Sequence, residues 1–187
     1  MNKISPYFFL VFLIIFSFSI NFYYGSRGVL AVDTFSHFDS TYKLLNGIIP
    51  FRDFWVISGG IIDYLQLPFF YFFGVNWTSY LAQSSFFNCC LTIATFFFLK
   101  KIELDNVNSF LYSFCFSVLA NPSMGTPFID HYSAFFSLLG LYCFYGAIQN
   151  NNFFLWFLLP ILFFLAFFSK QTPASYIIIS ISLMIFF

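Results

Sequence analysis

The stretch VDTFSHFDSTYKLLNGIIPFRDFW, residues 32–55, gathers Asp33, His37, Asp39, Lys43, Arg52 and Asp53 in a chain otherwise almost free of charge. Asp130 and His131 follow in NPSMGTPFIDHYSAFF, and Lys170 stands between two apolar runs in FFLAFFSKQTPASYIII. A carboxylate at the mouth of a membrane span is expensive unless water, a partner or a ligand satisfies it. Asp33, Asp53, Asp130 and His131 carry donors that suit Mg or Mn, but their spacing matches no metal motif. Each residue also has a bland reading. Asp33 and Asp130 can be helix caps, Asp39 a solvated face charge, and His37 a surface histidine. Arg52 and Asp53 can sit at headgroup level, and Lys170 can snorkel to the interface. The set carries more information than its members.

These groups need a scaffold, and the composition says which kind. The 187 residues are 60% hydrophobic and 7% charged, with a mean hydropathy of +0.86. A soluble domain carries roughly 25% charged residues, so this chain cannot coat a water-facing surface. It reads as an integral membrane protein. Seven acids balance seven bases, and no basic patch is left for nucleic acid. The 35 phenylalanines say little about chemistry, because lipid accepts Phe, Leu or Ile almost equally. Cys89, Cys90, Cys115 and Cys143 lie in apolar runs and read as plain thiols. The sequon at Asn76 carries no weight.

A helical span needs about 20 mostly apolar residues. The apolar runs predict an all-α membrane protein, a polytopic helical bundle of about six transmembrane helices, with interfacial helices in the first external loop. The spans are 7–24, 78–99, 106–121, 132–148, 153–169 and 174–187, and the loop is 25–77. The first run lacks a cleavage pattern and exceeds a signal-peptide core, so it is read as an uncleaved span. Residues 61–74, IIDYLQLPFFYFFG, are short and contain Asp63, Gln66 and Pro68. They read as a helix that dips into the membrane without crossing. The final run ends inside an apolar segment with no polar tail, so the chain reads as cut short at its C-terminus.

Lys3 before the first span predicts a cytoplasmic N-terminus, and Lys100 and Lys101 after the second fit the same rule. Residues 25–77 then lie outside. This topology puts Asp33, Asp53, Asp130, His131 and Lys170 on one face. Within the loop, Phe35, Phe38, Tyr42 and Leu45 recur at helical spacing and predict a surface-lying amphipathic helix ended by Gly47. Asp33 falls in its first turn, where a carboxylate suits the partial positive charge of the helix end.

The order of these residues resembles the first external loop of the GT-C membrane glycosyltransferases. The nearest in kind are the dolichyl-phosphate-mannose protein mannosyltransferases and the bacterial lipid A sugar transferases. Asp33 matches the acid after span one, and Leu44, Leu45 and Gly47 match "LL.G". Pro50, Phe51, Arg52, Asp53 and Phe54 match "PYRDF" with Phe for Tyr. Gly59 and Gly60 stand near a "GP" step, and Tyr64, Leu65, Phe73 and Gly74 match the tail. Asp130 matches a second external acid, and Lys170 a lysine between the fifth and sixth spans. Thr34 departs from the pattern, since many relatives have a second acid there. The specific part is residues 33–74, and the family fold has more spans than six.

The resemblance implies inverting transfer of a sugar from a polyprenyl-phosphate donor to a lipid or glycan acceptor at the external face of the membrane, the bacterial inner (plasma) membrane. It implies Asp33 as the catalytic base, and Arg52 and Lys170 as the cations that hold the departing phosphate. Asp53, Asp130 and His131 complete the expected substrate-binding set. Related enzymes generally work without a metal, so no cofactor is expected. The rival readings are a transporter and a non-catalytic assembly subunit. A transporter carries its charges near the middle of its spans and shows internal repeats. Here the charges cluster in loops and the halves show no repeat.

Overall fold

In a computed structural model of the chain, residues 6–28, 31–56, 58–120 and 125–186 are described. Lys3, and residues 121–124 of the loop before Asp130, lie outside them. The described residues form eight helices. They are α1 (Pro6–Gly25), α2 (Ala31–Leu45), α3 (Ile61–Phe73), α4 (Trp77–Lys101), α5 (Asn106–Leu119), α6 (Ile129–Asn150), α7 (Phe153–Ser169) and α8 (Gln171–Phe186). Among the described residues there is no strand, only an isolated bridge between Pro50 and Phe54.

Local signals set the helix ends. Asn76, Asp105 and Asn152 cap α4, α5 and α7, each accepting a backbone N–H of the first turn. α6 stops at Asn151, whose φ of 45° is left-handed. Past the end of α2, Gly47 takes a φ of +81°, which glycine adopts without steric cost. Two helices, α1 and α4, are both long and apolar enough to cross a membrane. α6 has 22 residues but carries Asp130 and His131 in its first turn. α5, α7 and α8 have 14, 17 and 16 residues, short of the usual spanning length of about 20.

The chain forms two compact units. The first takes residues 1–35 and 69–127, the second residues 36–68 and 128–187. Both α2 and α3 begin in one unit and end in the other.

In the first unit α1, α4 and α5 pack together. One end of the contact is aromatic, with Phe9 stacked on Phe110 at 4.7 Å around buried Leu13 and Phe96. The remainder is a polar seam. Asn21 Nδ2 donates to Ser84 Oγ and Ser85 Oγ, both at 3.1 Å. Asn88 Nδ2 donates to the carbonyls of Ser17 at 2.9 Å and Ser117 at 3.1 Å. Gly25 lies against Gly125, and a Cβ on Gly25 would stand 2.5 Å from the Gly125 carbonyl oxygen. Small residues and interhelical amide bonds of this kind join helices where water does not drive association.

In the second unit α6, α7 and α8 share a core of Phe144, Leu159, Phe163 and Ile181. Gly140 lets the Phe163 ring against α6, since a Cβ there would meet it at 2.5 Å. Outside these contacts many large apolar side chains are exposed. Tyr7 is 76% exposed and Phe153 84%, while Asn21, Asn88, Ser109 and Ser113 are at most 1% exposed.

Candidate functional site

The exposed side of α2 mixes polar and aromatic residues, and Asp33 and Asp39 are exposed beside the aromatic rings. Thr34, His37, Ser40 and Thr41 are buried, and Phe35 and Tyr42 are about half exposed. The helical spacing of the aromatic residues is real, but it marks the outward face. His37, read from sequence as a surface residue, is 4% exposed, and that expectation is corrected. Its neighbours on the buried face are small hydroxyls that leave room for the ring, and its Nδ1 finds a buried partner.

That partner is Asp63, in the first turn of α3. His37 Nδ1 lies 2.9 Å from Asp63 Oδ1, with the aspartate side chain fully buried and the histidine side chain 5% exposed. Among the described residues Asp63 Oδ2 has no hydrogen-bond partner. Burial pushes the Asp63 carboxyl above the usual carboxylate range, and the bond from His37 pulls partly back. The arrangement is a buried carboxylate bonded to a buried imidazole. Sequence reasoning used Asp63 only as a reason why 61–74 does not cross. The usable signal was an acid at the start of an aromatic helix, but nothing local marked His37 as its partner.

The loop between α2 and α3 is built around a second pair. Arg52 donates from Nε to Asp53 Oδ1 at 2.9 Å and from Nη2 to Oδ2 at 2.7 Å. The backbone N–H of Ile49 donates to Asp53 Oδ2 at 2.8 Å. Arg52 first, then the Ile49 N–H, hold the Asp53 carboxyl down at about 2. Asp53 is therefore a loop-closing group, and Arg52 is an exposed guanidinium already in partnership with it. Phe51 sits at φ 64°, a strained position for a residue with a side chain.

The third pair joins α6 to the end of α7. Lys170 Nζ donates to Asp130 Oδ1 at 2.6 Å, and Ser133 Oγ donates to the Lys170 carbonyl at 3.1 Å. Their side chains are 36% and 40% exposed, so solvent screens the pair. Asp130 is not the cap of α6, because the cap position is Phe128 and has no side-chain bond. His131 has its ring against Phe128, with centroids 5.8 Å apart, and its buried Nδ1 has no partner among the described residues.

Gly59 ties the loop to this region. A Cβ there would stand 2.0 Å from the Phe168 carbonyl oxygen, so only glycine fits against the last turn of α7. Gly59 is four residues before Asp63, and Phe168 is two before Lys170. The contact thus lies four residues before Asp63 on one chain segment and two before Lys170 on the other, inside the second unit. Of the expected site residues, the structure joins Arg52 with Asp53 and Lys170 with Asp130. Asp33 belongs to the first unit, is exposed, and makes no hydrogen bond or ion pair among the described residues. Among the described residues no three His, Cys, Asp or Glu side chains come together as a metal site. No family model, curated protein or solved structure matches the chain.

Proposed function

We propose that the chain is a multi-pass membrane glycosyltransferase that moves a sugar from a polyprenyl-phosphate donor to a hydroxyl acceptor at the external face. The observation that carries the reading is the Lys170–Asp130 pair. The resemblance names these two residues, 40 positions apart, as functional, and they meet at 2.6 Å in a half-exposed position. A lysine held by a carboxylate at a helix end is placed to exchange that partner for a phosphate. On this reading Lys170 and Arg52 hold the leaving phosphate, and Asp53 shapes the loop that carries Arg52. Asp130 and His131 meet the sugar, and a group of α2 takes the acceptor's proton. The resemblance gives that last role to Asp33.

Membrane placement beyond α1 and α4 is part of the proposal. Its support is the inverted surface of the helices, with aromatic side chains outside and serine and asparagine inside. The test is transfer by the full chain in phospholipid vesicles. Undecaprenyl-phosphate hexoses and pentoses serve as donors, total membrane lipid and octyl glucoside as acceptors, and free undecaprenyl phosphate as the readout. Release that depends on the acceptor supports the reading, and no release from any donor overturns it. A transporter is the second reading, favoured by the buried Asn21–Asn88 seam. It predicts solute flux across the same vesicles with no release of lipid phosphate.

A further inference from the structure

The transfer reaction needs one proton acceptor, and α2 offers two groups a turn apart, Asp33 and His37. We propose that His37, held in place by Asp63, takes that proton. This assignment rests on the transfer reading above.

Four observations carry it. First, His37 Nδ1 is fixed on Asp63 Oδ1 at 2.9 Å, and an imidazole tied through Nδ1–H presents the lone pair of Nε2. Second, the pair is closed off from bulk water, with none of the Asp63 side chain and 5% of the His37 side chain exposed, so the carboxylate acts on the ring without solvent screening. Third, Asp63 keeps a buried oxygen unbonded among the described residues, an expensive feature in a purely structural pair. A carboxylate at that position has a use when the ring becomes an imidazolium. Fourth, the pair belongs to the unit that holds Lys170, Asp130 and Arg52, and Gly59 links its helix to the turn before Lys170. Asp33 shares none of these features. It is exposed, and among the described residues no bonded group orients its carboxylate.

The step balances without a further reactant. The acceptor oxygen attacks the sugar carbon, and its proton passes to His37 Nε2. The new carbon–oxygen bond forms as the bond to the phosphate oxygen breaks, and the lipid phosphate leaves with that electron pair. Asp63 stabilises the imidazolium until water removes the proton. His37 is then a catalytic residue and Asp63 a positioning residue.

The test uses the full chain in vesicles with the donors and acceptors named above, and a spectroscopic reading of the ring. The chain has two histidines, so imidazole ¹⁵N labelling gives two ring signals, and His131→Gln assigns them. Expected are an Nδ1–H tautomer for His37 in the wild type and loss of that tautomer in Asp63→Asn. A general base contributes about 10²–10⁴-fold, and His37→Gln loses kcat on that scale with donor KM little changed. Asp63→Asn lowers kcat in step with the tautomer change. His37→Gln that transfers at the wild-type rate while Asp33→Asn is inactive returns the proton to Asp33. That result overturns the inference and leaves the transfer reading standing. An Nε2–H tautomer for wild-type His37 overturns it independently of activity. A wild type that releases no lipid phosphate from any donor removes the transfer reading and the inference together.

Discussion

Two acid–base pairs lie within one stretch of chain and behave as opposites. Arg52 and Asp53 are adjacent, doubly bonded, and 65% and 33% exposed. His37 and Asp63 are 26 residues apart, singly bonded, and 5% and 0% exposed. The better hydrogen-bond geometry belongs to the pair with less at stake. In water, a broken ion pair is replaced by hydration, so an exposed pair adds about 0–1 kcal/mol whatever its geometry. Without water, the partner left behind is an unpaired polar group, and the cost follows burial. The exposed pair shapes a loop, whereas the buried one is a commitment of two helices to each other.

The comparison is broken hardest by Asp63→Ala. It leaves His37 buried and unpaired and destabilises by about 3–5 kcal/mol, the range for breaking a buried pair from one side. Unfolding in mixed detergent measures it, and a loss under 1 kcal/mol would mean that water already reaches the pair. Gly59→Ala comes next. Its Cβ meets the Phe168 carbonyl oxygen at 2.0 Å, and backbone cannot swing aside as a side chain does. Overpacking of this kind costs about 1–3 kcal/mol, and the same unfolding assay should show it.

Lys170→Met separates stability from binding. The pair with Asp130 is 36% and 40% exposed, so stability changes by less than about 1 kcal/mol. A charge-assisted bond to phosphate is worth about 1.5–3 kcal/mol, so donor KM rises roughly 10–100-fold. The smallest effect is at Asp53. Its folded-state value of about 2 lies below the ordinary 3.8, so its contribution is present above about 4 and is lost as pH falls from there to 2. Arg52→Ala moves the Asp53 titration upward, and carboxyl ¹³C shifts across that range follow it. The Ile49 N–H keeps part of the depression.

Much of the fold is written in local chemistry. Apolar runs at 78–99 and 153–169 become α4 and α7 nearly to the residue, and Gly47 ends α2 as its left-handed φ allows. The first turn of α2 holds Asp33 as the spacing predicts. The six-span count does not follow so directly, because α5, α7 and α8 fall short of spanning length. The resemblance names Asp130 and Lys170, which the fold brings into one ion pair, and Arg52 and Asp53, which it bonds as neighbours. His37 stayed hidden because its helix buries a polar face. On α2 the exposed Phe35 and Tyr42 stand beside exposed Asp33 and Asp39, so hydrophobic periodicity does not pick out its buried face. A partner 26 residues away across a glycine-bent loop leaves no local trace, so only the fold brings Asp63 to it.

The account depends most on one piece of geometry, that the loop holding Asp53 and the helix start holding Asp130 share a side of the bilayer. Asp53→Cys and Asp130→Cys test it directly, each in a chain whose four native cysteines are serine, treated in intact cells with a membrane-impermeant maleimide. Labelling of both from outside, before permeabilisation, is the predicted result. Labelling of one from outside and the other only after permeabilisation would contradict it.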